Sequence, residues 1–183
     1  MKGPRTLKSE RLYTGKVFNL VVDEVEYATG NRAIREVADH PGGAVVIPFI
    51  NHSTVLMIRQ FRYPMKEVLY EAPAGKLDPQ EDPADCARRE LEEETGYSAG
   101  HLEKLTAIYT SPGFCNERLH LFLATGLTKT STGPRLEEGE QGLIIEPVQL
   151  EEALRMVERG EIVDAKTICG LFLALRRMGE RRR

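Results

Sequence analysis

Gly75–Tyr97 reads GKLDPQEDPADCARRELEEETGY, and the rest of the chain can be placed outward from it. Asp82 has a side chain suited to an N-cap, Pro83 fits the first helical position, and Gly96 fits the left-handed residue after the last turn. These signals predict a helix over approximately Pro83–Thr95. At about 100° per residue, Ala84, Ala87, Leu91 and Thr95 share an arc of roughly 80°, a narrow small-residue face that can pack closely on a sheet. Glu90, Glu93 and Glu94 fill a neighbouring arc of about 100°, because i,i+3 and i,i+4 positions are neighbours on a helix surface. Three carboxylates are therefore expected to point into one volume.

That arrangement is locally unfavourable. Glu90 and Glu94 are like charges at i,i+4, which costs a few tenths of a kcal/mol. Glu92, Glu93 and Glu94 crowd the helix C-terminus, where the macrodipole favours cations, and Arg89 offsets only part of this through Glu93. Repeated breaches of helix preference within five residues point to a site. Hard divalent cations seek such oxygen clusters, and Mg²⁺ in particular combines one or two carboxylates with water and substrate phosphates. A solvated acidic face would also carry such a run.

The remaining chain sets the frame. With 183 residues, 41% hydrophobic and 29% charged, it has the makeup of one globular domain, or of one domain with an added arm. The 28 acidic and 25 basic side chains leave a net charge of −3, which gives no general attraction to nucleic acid or an anionic membrane. No apolar run approaches a membrane span and Met1–Leu20 lacks a secretory apolar core, so a cytoplasmic protein is expected. Cys86, Cys115 and Cys169 lie far apart and read as reduced thiols. The scattered His40, His52, His101 and His120 argue against a zinc site.

Val17–Tyr27 and Arg32–Ala38, joined by the Ala28–Asn31 turn, predict a hairpin arm. His40-Pro41-Gly42-Gly43 marks the boundary, giving an arm over 1–42 and a main domain over 43–183. Strands are expected at Ala44–Phe49, Thr54–Arg59, Met65–Ala72, Leu105–Tyr109 and Leu119–Ala124, and helices at Leu150–Arg159 and Thr167–Met178. The Arg181–Arg183 tail reads as a solvated chain end. Mixed strands and helices imply an α/β or α+β sheet covered by helices.

Gly75, Glu81, Arg89-Glu90-Leu91, Glu93-Glu94 and Gly96-Tyr97 match the Nudix box in every specified position, and the chain resembles that hydrolase family. The resemblance implies an α/β/α sandwich with a mixed sheet, and hydrolysis of a nucleoside diphosphate linked to another moiety with Mg²⁺ or Mn²⁺. Carried over, Glu90 and Glu94 would be the principal metal ligands and Glu93 a further ligand or the water-activating carboxylate. Arg89 would orient Glu93. Gly75 would allow a tight backbone turn beside the substrate, so that the Ala74 carbonyl also faces a metal, and Glu81 would orient the loop.

Pro112 lies 16 residues after Gly96, as in the ADP-ribose pyrophosphatase branch of that family. Ile58–Pro64 (IRQFRYP) and Glu71–Gly75 (EAPAG) resemble the same branch. The implied reaction converts ADP-ribose to AMP and ribose 5-phosphate; GDP-mannose or another nucleotide sugar is the alternative substrate. A non-catalytic sensor of such sugars is a further alternative, disfavoured by the intact box. Arg62 would pair bidentately with a phosphate, as guanidinium geometry favours. Ser111 and Glu117 would lie near substrate. The antiparallel arm would exchange between the subunits of a homodimer, bringing Arg35 and Glu36 near the base or ribose. Arg35 stands where the branch often has a stacking aromatic, and Phe18 or Tyr27 could take that part. The long polar loop Thr128–Gly142 would carry a mobile general base, Glu138 or Glu140, with Glu140 preferred.

Overall fold

The structure is a computed structural model that describes residues 2–180, so the Arg181–Arg183 tail lies outside it. Contacts divide the chain into two compact units, one running to Gly42 and including Tyr109–Arg118, the other formed by Gly43–Ile108 with the chain from Leu119 onward.

The first unit holds three antiparallel strands, β1 (Arg5–Thr14), β2 (Asn19–Glu26) and β3 (Arg32–Asp39), in the order β1-β2-β3. The expected hairpin is β2–β3, and β1 extends it. Strand β1 escapes the sequence reading because RTLKSERLYT is exposed along almost its whole length and buries no alternating face. Tyr109–Arg118 joins this unit through backbone bonds. The Ala38 amide donates to Phe114 O at 2.8 Å and the Asn116 amide to Ala38 O at 3.2 Å.

In the second unit, β4 (Gly43–Pro48) is one of the two inner strands of a four-stranded sheet ordered β7-β4-β9-β8. Its neighbours are β7 (Ala74–Lys76), antiparallel, and β9 (Arg118–Lys129), parallel, so the sheet is mixed. The outer strand β8 spans Tyr97–Tyr109, longer than the Leu105–Tyr109 expected. A second sheet carries β10 (Ile144–Gln149), β5 (Thr54–Arg62) and β6 (Glu67–Glu71).

Every residue of β4 is buried because helices cover both faces of its sheet. Alternation divides it. Ala44 and Val46 pack with Cys86, Ala87 and Leu91 of helix α1 (Pro83–Thr95). Val45 and Ile47 face the larger cluster, with Ala153 and Met156 of α2 (Leu150–Glu158) and Leu171 and Ala174 of α3 (Ala165–Glu180). The result is the expected α/β/α sandwich. Among the described residues, no helix is long and apolar enough to cross a membrane. All three cysteines are free thiols.

Candidate active site

Helix α1 starts and stops where its caps dictate. The Asp82 side chain accepts from the Ala84 amide at 2.8 Å, Pro83 opens the helix, and Gly96 ends it in the left-handed region at φ 70°. The face against the sheet is wider than Ala84, Ala87, Leu91 and Thr95. It includes Cys86, whose burial pushes its thiol up to about 12, and two of the glutamates.

Glu90 and Glu94 are buried, Glu94 to 1% exposure, whereas Glu93 stays at the rim with about a third of its side chain exposed. Only two of the three carboxylates expected to share one volume therefore lie within the protein. Glu94 Oε2 accepts from the Ala74 amide at 3.0 Å, tying α1 to β7. Burial is the main force raising the carboxyl of Glu94, and the charges of Glu90 and Glu140 add to it; the Ala74 amide and Arg62 pull it back. Burial also raises Glu90, although Arg89 offsets part of the effect.

Arg89 does more than orient Glu93. Its Nε and Nη2 donate to both oxygens of Glu81 at 2.9 Å each. Its Nη1 donates to Glu90 at 2.6 Å and to Glu93 at 3.2 Å. A bond from Nη2 to Lys76 O at 3.1 Å fastens the loop ahead of the helix. Glu81 also accepts from the Asp78 amide at 2.9 Å, so it braces that loop. The Arg89 hydrogen bonds, helped by Asp78, hold the Glu81 carboxyl down at about 2.

Gly75 serves a different purpose from the tight turn that the family resemblance implied. It lies inside β7, opposite Ala44, and has no positive φ. A Cβ there would overlap the Glu90 carboxylate, so the missing side chain makes the space in which that carboxylate sits. Glu90 and Glu94 thus form a buried oxygen pair whose charge the protein balances only in part, a donor set that suits a hard divalent cation. Among the described residues no three His, Cys, Asp or Glu side chains gather into a group that could hold a metal ion. A site with few protein oxygens, completed by water and phosphate, is the kind Mg²⁺ favours.

The C-terminal end of α1 has no basic residue in its last turn, and the loop after β9 supplies one. The Arg135 amide donates to Glu93 O at 2.7 Å and its guanidinium lies 3.8 Å from the Glu93 carboxylate. Within that loop, Glu138–Glu140 forms a 3₁₀ turn, and Glu140 caps it by accepting from the Glu137 amide at 2.9 Å. Glu138 is exposed, while the charge of Glu140 reaches Glu90 and Glu94.

Arg62 meets a carboxylate of the protein itself. Its Nε and Nη2 donate to Glu71 at 2.6 and 2.7 Å, and Lys166 pairs with the same carboxylate. The sequence reading missed Lys166 and Glu71 as charged partners because 95 residues separate them.

Arg35, Glu36, Ser111 and Glu117 belong to the first unit. Arg35 lies over the Tyr27 ring, 5.5 Å from its centroid, and bonds the Tyr27 hydroxyl, so two of the three candidate stacking groups occupy one another. Glu36 is exposed on β3 opposite Val22. Ser111 O accepts from the Phe114 and Cys115 amides at 3.1 and 2.9 Å, forming the turn. Glu117 accepts from the Thr110 hydroxyl at 2.7 Å and lies 3.5 Å from His40.

Known proteins share this framework. A family profile described as the NUDIX domain matches residues 39–170. The chain is 44% identical to an ADP-ribose pyrophosphatase of Bacillus subtilis (strain 168), over 89% of this chain and 88% of that protein. It is 42% identical to a methanol dehydrogenase activator of Bacillus methanolicus, over 90% of this chain and 88% of that one. The crystal structure of an ADP compounds hydrolase superposes with a TM-score of 0.86, covering 99% of this chain and 97% of that one at 21% identity, which shows a shared fold. This chain belongs to the NUDIX domain family.

Proposed function

We propose that the protein is a pyrophosphatase that cleaves ADP-ribose to AMP and ribose 5-phosphate with a divalent cation, Mg²⁺ or Mn²⁺, held by Glu90 and Glu94 with the Ala74 carbonyl. One observation carries the reading: two buried carboxylates one turn apart on one helix, with a glycine opposite that gives the Glu90 carboxylate its room. The ADP-ribose pyrophosphatase among the relatives supports the substrate.

A bound cation supplies charge neutralisation for the pyrophosphate oxygens and raises the acidity of water. The protein's own groups do the rest. Arg89 holds Glu90 and Glu93 in place from one guanidinium, and Glu81 fixes Arg89. Water attacks one phosphorus, the bridging P–O bond breaks, and a carboxylate takes the proton. We assign that role to Glu140, whose charge reaches the pair, with Glu93 as the rim carboxylate that orients the water. Arg62 binds a phosphate. Arg35 and Glu36 serve the base or ribose, Ser111 and Glu117 serve the substrate, and the antiparallel arm joins two copies into a homodimer.

Product analysis on ADP-ribose, GDP-mannose and dinucleoside polyphosphates, with Mg²⁺, with Mn²⁺ and with chelator, tests the reading. AMP and ribose 5-phosphate formed only with a cation is the expected result. Rapid GDP-mannose cleavage with none of ADP-ribose would reverse the substrate, and absence of any hydrolysis would leave a binding protein.

A further inference from the structure

The segment Glu71–Gly75 connects β6 to β7, and three other elements hold it. The Ala72 amide donates to Thr167 Oγ1 at 2.7 Å, Pro73 O accepts from the Val46 amide at 2.9 Å, and the Ala74 amide donates to Glu94. Thr167 belongs to the first turn of α3. Its hydroxyl passes the bond on to Asp164 Oδ2 at 2.6 Å, and the same oxygen accepts from the Thr167 amide at 3.0 Å and forms an ion pair with Lys166 Nζ at 3.0 Å. Asp164 is therefore the N-cap of α3 and the anchor of Lys166.

Lys166 is only 13% exposed, and its ammonium lies between Asp164 and Glu71. Glu71 is 1% exposed and shared by two cations, Arg62 and Lys166. A buried carboxylate bonded to Arg62 alone would cancel that guanidinium's charge toward an incoming anion. A second cation on the same carboxylate takes up part of its charge, and the positive end of α3 offsets part of Asp164. The arrangement also fixes rotation. Glu71 Oε1 receives Arg62 Nε, while Oε2 receives both Arg62 Nη2 and Lys166, so Glu71 has little freedom to swing and Arg62 follows it.

We infer that Lys166, acting through Glu71, is a positioning residue that keeps Arg62 oriented and net positive toward the pyrophosphate of the substrate. This rests on the function proposed above, in which Arg62 binds a phosphate. No local signal reveals it, because Lys166 and Glu71 are 95 residues apart.

Steady-state kinetics on ADP-ribose with Mg²⁺, for the wild type, Lys166→Met, Lys166→Arg, Arg62→Ala and the double variant Arg62→Ala/Lys166→Met, tests it. Lys166→Met should raise KM about tenfold, the usual cost of losing an outer partner of a binding group, and leave kcat within about threefold. Lys166→Arg should restore KM, and Lys166→Met should add nothing once Arg62 is gone. A Glu71→Gln/Lys166→Met variant removes the carboxylate that neutralises Arg62 together with its second cation. It should fold and keep a KM nearer the wild type's than that of Arg62→Ala, so a poorly folding single variant does not stop the test. A KM as high as that of Arg62→Ala would count against the inference. An unchanged KM in Lys166→Met beside a raised one in Arg62→Ala would overturn the inference alone. So would a Lys166 effect that persists in full without Arg62. A wild type that does not cleave ADP-ribose, or an Arg62→Ala variant with normal KM, would overturn the reading of the site together with the inference.

Discussion

Replacing Glu94 with Gln should make the protein more heat-stable without metal and far less active with it. Glutamine keeps the shape, and its side-chain oxygen can still accept from the Ala74 amide. What it removes is charge. Glu94 is 1% exposed and stands one helical turn from the buried Glu90. At a separation of ~6 Å and an effective dielectric of ~20, two like charges repel by about 3 kcal/mol. Arg89 already offsets part of the Glu90 charge, so about 1–2 kcal/mol of relief is expected. In a chain of this size each kcal/mol moves Tm by about 2–4 °C, so Tm in chelator should rise by about 2–8 °C. Activity should move the other way. A cation contributes several kcal/mol at the transition state, and each 1.36 kcal/mol is about tenfold in rate, so kcat/KM should fall by about two orders of magnitude or more. Glu92→Gln is the control, since Glu92 is only half-buried on the same turn. Thermal denaturation in chelator and ADP-ribose hydrolysis in Mg²⁺ read the two effects. A Glu94→Gln protein that is destabilised, with activity no lower than that of Glu92→Gln, would refute the reasoning.

Three further outcomes follow from the same geometry. Gly75→Ala should displace the Glu90 carboxylate, since its Cβ would occupy that space, and should lower cation affinity more than tenfold while costing about 1–3 kcal/mol of stability; normal affinity measured by calorimetry would show that Glu90 is not a ligand. The Glu81 carboxyl is held at about 2 against an ordinary value of 4.5, so its contribution is complete above pH 4.5 and fades as pH falls toward 2. Acid unfolding of Glu81→Gln should therefore begin from a lower stability and show a shallower loss over that interval, and an unchanged acid limb would remove Arg89–Glu81 as a stabilising pair. Deleting residues 1–40 should convert a dimer to a monomer in sedimentation equilibrium, whereas a dimer that persists would take the arm out of the interface.

What could be read in advance follows from the range of the interactions. Helix α1 was legible because its signals are local: Asp82 caps, Pro83 starts and Gly96 ends it within the segment. Strand β4 was legible from its apolar run; the mix of elements gave only a sheet covered by helices, and the sandwich came with the resemblance to the Nudix family. Strand β1 was not, because ten mostly exposed residues carry no buried face, and β7, with three residues, is too short to show a period. The carboxylate face was placed to within one residue. Only packing could show that Glu90 and Glu94 go in while Glu93 stays at the rim beside Arg135. The tight turn at Gly75 was carried over from the family resemblance, whereas here the glycine lies in a strand and makes room for another residue's carboxylate. Lys166 was invisible because its partner lies 95 residues away.

Calorimetric titration of the wild type and of a Glu90→Gln/Glu94→Gln variant with Mg²⁺ and Mn²⁺, paired with Tm at each cation concentration, bears most directly on the buried carboxylate pair. The wild type should bind saturably and gain Tm as the cation rises, and the double variant should do neither. Equal titration curves for the two proteins, with ADP-ribose still hydrolysed in chelator, would contradict the account.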